Sequence, residues 1–353
     1  MNLRLSYISN SEYGDIKKFL TKLLMLALLI FVLDKALAFW ATQAVLQDTQ
    51  IFGSLSLLYR GAVEQQIVLF GSSKTHVNID AEAIEQTTGV TCYNLAIGNA
   101  SIDMCEFLFE EFLIKNKRPE IVFMEADFVH LDVNSSLTFR SELLAPFSNV
   151  STHTANRLNP TSADQLAFWL FRCKNFSAGG GIGALSRSMF RYALHIFRGG
   201  ESDATAPQSG AAAGYQDNHQ WRSVNGSHLL APLGREMIRE KFWRIDKGGE
   251  NRISPQRQEI YLRIVKLTKA EGIQLVLYGP PFFGELDAPF AQEVDQFFSQ
   301  LAEQNEHVHY WSFREAPDLL SDANLWTDAV HLNWNGAKIL TQKIIKKLET
   351  PQD

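Results

Sequence analysis

Three residues from opposite ends of the chain have the types and spacing of a serine nucleophile and its activating pair. Ser73 ends the small-residue turn Gly71-Ser72-Ser73, and Asp328 and His331 lie three residues apart near the C-terminus. A serine hydroxyl needs a base to become a nucleophile, and the base needs a partner that fixes its tautomer. We therefore predict Ser73 as nucleophile, His331 as base and Asp328 as its orienter, a set suited to acyl-ester chemistry.

The elements that must position these residues follow an alternating pattern of strands and helices. Short apolar segments predict five buried strands, at residues 66–70, 91–96, 120–125, 274–278 and 307–311. Periodic apolar positions predict helices at residues 102–115, from 255 onward, at 289–304 and at 334–348, the last capped by Asn333. This alternation is typical of a doubly wound (flavodoxin-like) α/β domain, with a mostly parallel five-stranded sheet in a three-layer α/β/α arrangement. Ligands of such sheets bind beyond the carboxyl ends of the strands, where the 71–73 turn lies.

The N-terminal part of the chain predicts a membrane anchor. Residues 19–46 are long and apolar enough to cross a bilayer, and Lys17, Lys18 and Lys22 form a basic flank. This flank predicts a cytoplasmic N-terminus at residues 1–18 and an extracytoplasmic location, periplasmic or at the cell surface, for the bulk of the chain. Asp34 and Lys35 interrupt the apolar run, and we expect them to pair or to lie near the outer interface. A cleaved signal peptide and a buried soluble helix are the alternatives.

The remaining residues, 47–353, are predicted to form one exported domain. Its strand and helix alternation is interrupted at about residues 134–251, where aromatic-rich helical stretches and small polar residues replace the pattern. We interpret this segment as a largely helical insertion that lies over the strand ends as a lid or as a surface that docks a partner.

Composition and charge exclude some classes of function. The chain has 353 residues, of which 46% are hydrophobic, so it can bury a core. Its formal net charge is −6. It contains no run of Lys and Arg that would indicate a nucleic-acid partner. Asp127, His130 and Asp132 could suggest a metal cluster, but strand alternation would separate Asp127 from the other two. We predict neither a metal site nor a cofactor.

The motifs together resemble the SGNH (GDSL-type) hydrolase superfamily. The resemblance rests on Gly71-Ser72-Ser73 after the first strand, Gly98 after the second, and Asp328 and His331 before the final helix. The anchor, the Gly-Ser-Ser turn and the long insertion are most similar to membrane-anchored members that act in the O-acylation of cell-surface polysaccharides. The resemblance implies an oxyanion hole formed by the backbone N–H groups of Ser73 and Gly98.

Two departures from the family pattern affect the expected chemistry. Ser72 replaces the aspartate of the first motif, and the chain reads Glu125-Ala126-Asp127 where the family has an asparagine that donates to the oxyanion. A carboxylate at that position would repel an oxyanion unless it were protonated or turned away. Asn99 is the candidate replacement donor. These departures favour a specialised transferase or a degenerate site over a general esterase.

Two hypotheses about function follow. The first is a membrane-anchored serine acyl-esterase or O-acyltransferase that works through an acyl-serine intermediate on an extracytoplasmic glycan or related cell-surface polymer. The second is a non-catalytic binding or assembly subunit of a membrane acyltransferase system. Expected partners are the acylated polymer, a multispanning membrane acyltransferase, and membrane lipid around the N-terminal helix. The sequence leaves hydrolysis and transfer open.

Overall fold

The chain folds into two compact units. The computed structural model describes residues 10–48, 52–177, 181–197, 214–216, 221–224, 227–230, 252–283 and 288–350. The first unit consists of Met1–Ile51 and Ser141–Phe197, and the second of Phe52–Arg140 and Arg198–Asp353. Ser73, Asp328 and His331 all belong to the second unit.

The second unit contains two separate sheets. In chain order the strands are β1 (Ile67–Phe70), β2 (Cys92–Asn94), β3 (Ile121–Glu125), β4 (Gly214–Gln216), β5 (Trp221–Val224), β6 (Ser227–Leu230), β7 (Gln274–Gly279) and β8 (Val308–Ser312). The large sheet has the order β2-β1-β3-β7-β8, and each strand is parallel to its neighbours. The predicted five-stranded parallel sheet is therefore confirmed.

Helices connect the strands and also build the first unit. In chain order they are α1 (Asn10–Leu46), α2 (Gly53–Arg60), α3 (Ser73–Asn78), α4 (Ala81–Thr88), α5 (Ile102–Lys115), α6 (Phe128–Leu131), α7 (Ser141–Leu144), α8 (Thr152–Leu158), α9 (Ser162–Leu170), α10 (Gly181–Phe197), α11 (Pro255–Glu271), α12 (Ala288–Glu303), α13 (Pro317–Leu320) and α14 (Trp334–Glu349). Short 3-10 helices span Ala145–Asn149, Lys174–Ser177 and Ala323–Leu325.

Alternating side chains of the strands cover both faces of the large sheet. Ile67 and Leu69 pack in one buried cluster with side chains of α4 and α14. Phe70 points to the opposite face, where its ring centroid lies 5.6 Å from that of Phe109 and 6.1 Å from that of Phe112, both on α5. Because a strand presents successive residues to opposite faces, the sheet is the middle of three layers.

The predicted insertion begins and ends at neighbouring points of the second unit. Val133 donates its backbone N–H to Arg252 O at 3.0 Å, and Ser254 donates to Leu131 O at 2.8 Å. The small antiparallel sheet β4-β5-β6 lies within this segment, and the backbone of β6 lies beside α3. Residues 178–180, 198–213, 217–220, 225–226 and 231–251 of the predicted insertion lie outside the described residues. The same is true of residues 1–9 of the predicted cytoplasmic segment.

Helix α1 differs along its length in how much of it is covered. Gly14–Leu46 is long and apolar enough to cross a membrane by length and composition, and 6% of its most apolar stretch is buried. Towards its C-terminal end, Ala38, Ala41 and Val45 are buried, and Thr42 donates its hydroxyl to Pro146 O at 3.2 Å. The first unit is therefore a helix with a bare apolar part and a part that packs on residues 141–197.

One glycine near the start of α14 is required by a close backbone approach. A Cβ at Gly336 would contact Leu325 O and lie 2.8 Å from Leu332 Cδ2. We expect Gly336→Ala to lower the free energy of unfolding by about 1 to 3 kcal/mol, because neither neighbour can move without disturbing the loop before α14. Denaturation of the detergent-solubilised chain by urea would measure this.

Gly53→Ala is the matched control for that substitution. A Cβ at Gly53 meets no atom within 4 Å, and its φ is not in the left-handed region. We expect this variant to be neutral or stabilised by up to about 1 kcal/mol, since alanine restricts the unfolded chain. Equal losses in both variants would contradict the packing argument.

Candidate active site

The candidate nucleophile lies at the first residue of a short helix at the carboxyl edge of the sheet. Strand β1 ends at Phe70, and the turn Gly71-Ser72 leads into α3, which begins at Ser73. Ser72 has extended backbone and caps the helix, because its hydroxyl accepts the Lys74 N–H at 3.4 Å. The capped turn places Ser73 at the edge where ligands of parallel sheets bind.

Ser73, His331 and Asp328 form one hydrogen-bonded chain. The Ser73 hydroxyl lies 2.7 Å from His331 Nε2, and His331 Nδ1 lies 2.8 Å from Asp328 Oδ2. The other carboxylate oxygen, Oδ1, accepts the backbone N–H groups of Val330 and His331, each at 2.9 Å. The predicted nucleophile, base and orienter are thus brought together in the order that serine activation requires.

The lowered pKa of the Asp328 carboxyl suits its role as hydrogen-bond acceptor for His331. Burial raises the pKa of its carboxyl, but the hydrogen bonds from the His331 side chain and from the Val330 and His331 backbone outweigh it and leave the pKa below its ordinary value. Asp328 is therefore ionised at neutral pH and can accept the Nδ1 proton of His331. In the tautomer of His331 that carries its proton on Nδ1, Nε2 can accept a hydrogen bond from the Ser73 hydroxyl.

Asn78, which sequence reasoning did not identify, ties the histidine loop to the serine helix. It is the last residue of α3 and is fully buried. Its Nδ2 donates to Val330 O at 3.2 Å, and its Oδ1 accepts the Leu332 N–H at 2.8 Å. The two bonds hold the residues on either side of His331. An asparagine five residues after a candidate serine is a weak signal, because the partners come from the other end of the chain.

The far side of the histidine loop is held by the cap of α14. Asn333 Oδ1 accepts the N–H groups of Asn335 at 3.0 Å and Gly336 at 3.3 Å, so the predicted cap is confirmed. Its Nδ2 donates to Asn324 O at 2.6 Å. With Asn78 on one side and Asn333 on the other, the backbone around His331 is fixed at both ends.

A buried carboxylate beneath the serine turn organises that turn. Glu125, the last residue of β3, is 1% exposed. Its Oε1 accepts the Ser72 hydroxyl at 2.7 Å. Its Oε2 accepts the Ser72 N–H at 2.7 Å, the Thr75 hydroxyl at 2.7 Å and the Thr75 N–H at 3.2 Å. A Cβ at Gly71 would lie 2.6 Å from Oε2, so a glycine is needed here for the carboxylate to approach the turn.

Glu125 is ionised in spite of its burial. Burial alone would raise the pKa of its carboxyl, but His130, Lys74 and the Ser72 hydroxyl together hold the pKa well below its ordinary value. His130 Nε2 lies 3.3 Å from Glu125 Oε1, an ion-pair distance, although the two groups are not aligned as a hydrogen bond. A buried charge that accepts several hydrogen bonds is stabilised in this way.

The carboxylate expected to disturb the oxyanion site is paired instead. Asp127 Oδ2 contacts the ammonium group of Lys74, and both side chains are buried. Its other oxygen accepts the Phe128 N–H at 2.7 Å. The Lys74 Nζ also lies 4.7 Å from the centroid of the Phe128 ring. Asp127, in the segment where the resemblance leads us to expect an asparagine, is thus paired with the residue next to the candidate nucleophile.

The two predicted oxyanion residues lie in the loop after β2. Ile97 donates its N–H to Gly71 O at 3.0 Å, which places this loop beside the serine turn. Gly98 O accepts Arg140 Nη1 at 2.6 Å, and Asn99 Nδ2 contacts the hydroxyl of Thr138 at 3.3 Å. Asn99, and not Gly98, adopts the left-handed backbone conformation in this loop, with a φ of 62°. The roles of Gly98 and Asn99 as donors stay predictions.

The three residues considered for a metal serve other contacts. His130 faces Glu125, and Asp127 faces Lys74. Asp132 Oδ1 accepts the Asn134 N–H at 3.0 Å. Within the described ranges, no group of three His, Cys, Asp or Glu side chains is arranged to hold a metal ion.

No family model matches the sequence, and no curated protein matches it. Several solved structures do. A candidate acylhydrolase from Bacteroides fragilis is 13% identical, with a TM-score of 0.35 over 80% of this chain and 88% of that chain. A catalytic mutant of an acetylxylan esterase from Geobacillus stearothermophilus is 12% identical, with a TM-score of 0.37 over 81% of this chain and 95% of that chain. Another mutant of that esterase is 11% identical, with a TM-score of 0.37 over 83% and 97% of the two chains.

These neighbours are acylhydrolase and acetylxylan esterase structures. Their identities and TM-scores are too low to assign an activity. The assignment of the site therefore rests on the contacts of Ser73, His331 and Asp328 in this chain.

Substitution of Glu125 tests whether its charge holds the serine turn. Glu125→Gln keeps the shape but offers one acceptor oxygen where the carboxylate offers two. We expect the free energy of unfolding at neutral pH to fall by about 2 to 4 kcal/mol, because buried donors of Ser72 and Thr75 lose charged acceptors. Urea denaturation as a function of pH would measure the change.

The pH dependence has a definite sign. A folded-state pKa below the unfolded value stabilises the protein above the unfolded pKa, about 4.3 for a glutamate, and this stabilisation is lost as the pH falls towards the folded pKa. The difference between wild type and Glu125→Gln should therefore shrink on acidification below about pH 4. Glu120→Gln, an exposed change at the start of the same strand, should stay within about 0.5 kcal/mol of wild type. A pH-independent difference would contradict an ionised Glu125.

Substitution of Asn78 tests how the histidine is positioned. Asn78→Ala leaves the buried Leu332 N–H and Val330 carbonyl without their partner, and we expect a loss of about 1 to 3 kcal/mol. It should also slow the reaction of Ser73 with a fluorophosphonate, because His331 is no longer held against the hydroxyl. Asn305→Ala is the control, since its amide donates to Leu301 O, a carbonyl of the preceding helix α12, and not to the histidine loop. Lost stability with unchanged labelling would reduce Asn78 to a structural residue.

Proposed function

We propose that the protein is a membrane-anchored serine acyl-esterase or O-acyltransferase. It would act on an extracytoplasmic glycan or a related cell-surface polymer, through an intermediate in which the acyl group is bonded to Ser73. The observation that carries the proposal is the continuous hydrogen-bonded chain from Ser73 through His331 to Asp328. Ser73 and His331 are 258 residues apart in sequence. Their contact therefore depends on the tertiary fold and not on local sequence.

The geometry supports a two-step reaction. In the first step the Ser73 Oγ attacks the acyl carbonyl carbon, and its proton passes to His331 Nε2. The carbon–oxygen bond to the alcohol then breaks, and His331 returns the proton to the leaving oxygen, which gives acyl-Ser73 and free alcohol. In the second step water or a sugar hydroxyl loses its proton to His331 and attacks the acyl carbon. The bond between that carbon and Ser73 Oγ then breaks, and His331 returns the proton to Oγ. Asp328 stabilises the imidazolium in both steps.

Two backbone donors support stabilisation of the oxyanion. Ser73 is the first residue of α3, and within the described part of the chain neither its N–H nor that of Gly98 donates to a protein acceptor. Such donors act on charge that develops only in the transition state, and one is worth about 3 kcal/mol. Pairing of Asp127 with Lys74 removes a net negative charge that would oppose the oxyanion. The pair thus supports a catalytic site against the expected repulsion of the oxyanion, while the replacement for the missing asparagine donor stays a prediction for Asn99.

The anchor and the family resemblance support the location and the substrate class. Helix α1 has the length and composition of a membrane span, and Lys17, Lys18 and Lys22 precede its apolar part. This distribution of charge favours a location of the second unit outside the cytoplasm, where membrane-anchored members of the SGNH superfamily, which the sequence resembles, act in the O-acylation of polysaccharides. A multispanning acyltransferase would supply the acyl group in the transfer version of the reaction.

Two substitutions in the triad test the proposal. Ser73→Ala should abolish fluorophosphonate labelling and turnover of a small aryl acetate by the detergent-solubilised chain. Asp328→Asn should leave Ser73 in place but lower turnover by about 10³- to 10⁴-fold, because His331 loses the partner that fixes its tautomer. Ser321→Ala, an exposed serine of the same unit, is the matched control and should leave both measurements unchanged.

Labelling and turnover that do not depend on Ser73 would overturn the enzyme proposal. The chain would then fit better as a binding or assembly subunit. If the enzyme proposal holds, adding a soluble sugar alcohol to the ester assay separates the two reactions. Acyl transfer to the sugar at the expense of free acid supports a transferase, and an unchanged yield of acid supports an esterase.

A further inference from the structure

The charged pair that interrupts the apolar part of α1 binds the backbone at the end of α9. Asp34 accepts the N–H groups of Arg172 at 2.6 Å and Cys173 at 3.0 Å. Lys35 Nζ donates to the carbonyls of Trp169 at 3.0 Å and Leu170 at 2.7 Å. The two charged side chains also pair at 3.2 Å. The pair therefore fixes residues 169–173 beside the middle of α1.

The position of this contact along α1 sets its depth in a membrane. A span needs about 20 residues, at about 1.5 Å each, for a hydrocarbon core of about 30 Å. Asp34 lies about 12 residues, or about 18 Å, beyond Lys22, the last residue of the basic flank. Counted from Lys17 it lies about 26 Å along the helix, still short of the far boundary. On either count, a membrane-spanning α1 would place residues 169–173 within the outer leaflet or at its interface.

The end of α9 exposes apolar side chains at this level. Leu166 is 59% exposed, Trp169 59%, Leu170 37% and Phe171 49%. The first three have the i, i+3, i+4 spacing of one helix face, and Phe171 follows directly; we call these four residues the α9 stripe. Phe168, between them, is buried. Apolar residues this exposed and this close together mark an interaction surface.

We infer that the α9 stripe inserts into the outer lipid leaflet beside α1. The inference rests on the proposed membrane anchor. Lipid fits better than another occupant because the stripe is continuous with the bare part of α1, where Leu28, Val32 and Leu33 are more than half exposed. The backbone bonds to Asp34 and Lys35 satisfy two charges that would be costly at this depth. Tryptophan is enriched where membrane and water meet.

Site-directed fluorescence measures the depth of the stripe in the full chain. Cys173→Ser removes the partly exposed native thiol, while Cys92 and Cys105 are buried. A single cysteine is then introduced by Phe171→Cys or Leu166→Cys and labelled with an environment-sensitive dye. The chain is reconstituted in vesicles of phosphatidylcholine with a minor share of phosphatidylglycerol. Quenching is compared between phosphatidylcholine that carries a nitroxide near the headgroup and iodide in the water.

Two control labels separate failure of this inference from failure of the anchor. Leu28→Cys, in the middle of α1, should be quenched by a nitroxide deep in the acyl chain. Gln342→Cys, an exposed position on α14, should be quenched by iodide only. An unquenched Leu28 label would overturn the anchor and the stripe together. A quenched Leu28 label with an unquenched stripe would overturn this inference alone.

We expect both stripe labels to lose roughly half of their emission to the shallow nitroxide and to be protected from iodide. Quenching by iodide without quenching by the nitroxide would show an exposed stripe and would overturn the inference. Protection from both quenchers would show a protein occupant and would also overturn it. Trp169→Phe gives a check without labels, because it should reduce the quenching of intrinsic fluorescence by brominated phosphatidylcholine.

Discussion

The candidate site depends on one buried charge, the carboxylate of Glu125. Within the described residues its two oxygens accept four hydrogen bonds from Ser72 and Thr75, the residues on either side of Ser73 and Lys74. A buried charge without donors would be severely destabilising, so the turn has to adopt the conformation that supplies them. Gly71 leaves room for the carboxylate, and Ser72 also caps α3. The conformation that satisfies Glu125 is the one that presents Ser73 at the sheet edge.

A second tie brings the other end of the chain to that serine. Asn78 bonds the backbone on both sides of His331, while Asp328 bonds the imidazole and the backbone of the same loop. The serine helix thus carries the nucleophile at its first residue and the clamp for the base at its last. Because both lie on one turn and a half of helix, the distance between Ser73 Oγ and His331 Nε2 depends on few adjustable torsions. Such preorganisation is what a nucleophile and its base require.

Much of this arrangement could be predicted from the sequence, for reasons that differ by residue. The five strands are short apolar runs, and those at residues 66–70 and 274–278 are followed directly by glycine. Asp328 and His331 form a local motif, so pattern and spacing identify both the strands and this pair. Asn78 could not be found, because its partners are more than 250 residues away in sequence. The strands β4, β5 and β6 have three or four residues each within a segment of small and polar residues, which gives too little periodicity.

The residues that fit the sequence pattern least well are the ones that tertiary structure explains. Glu125 and Asp127 counted against a catalytic site, and Asp34 and Lys35 counted against a membrane span. In the structure each of the four charges is matched by donors or acceptors from a distant segment. Pattern rules score a charge by its neighbours in sequence, whereas its free energy depends on its neighbours in space.

The buried charges near Ser73 bear on whether the site is catalytic or has lost its activity. Buried ion pairs such as Lys74–Asp127 seldom add net stability, since the cost of desolvation is close to the gain from attraction, and apolar residues of similar volume would serve a purely structural turn as well. The edge of the sheet nevertheless holds Glu125, Lys74 and Asp127 as buried charged groups next to the triad. Buried charged groups beside a ligand-binding edge are frequent at functional sites. The buried charges around Ser73 therefore support the proposal that chemistry takes place at that serine.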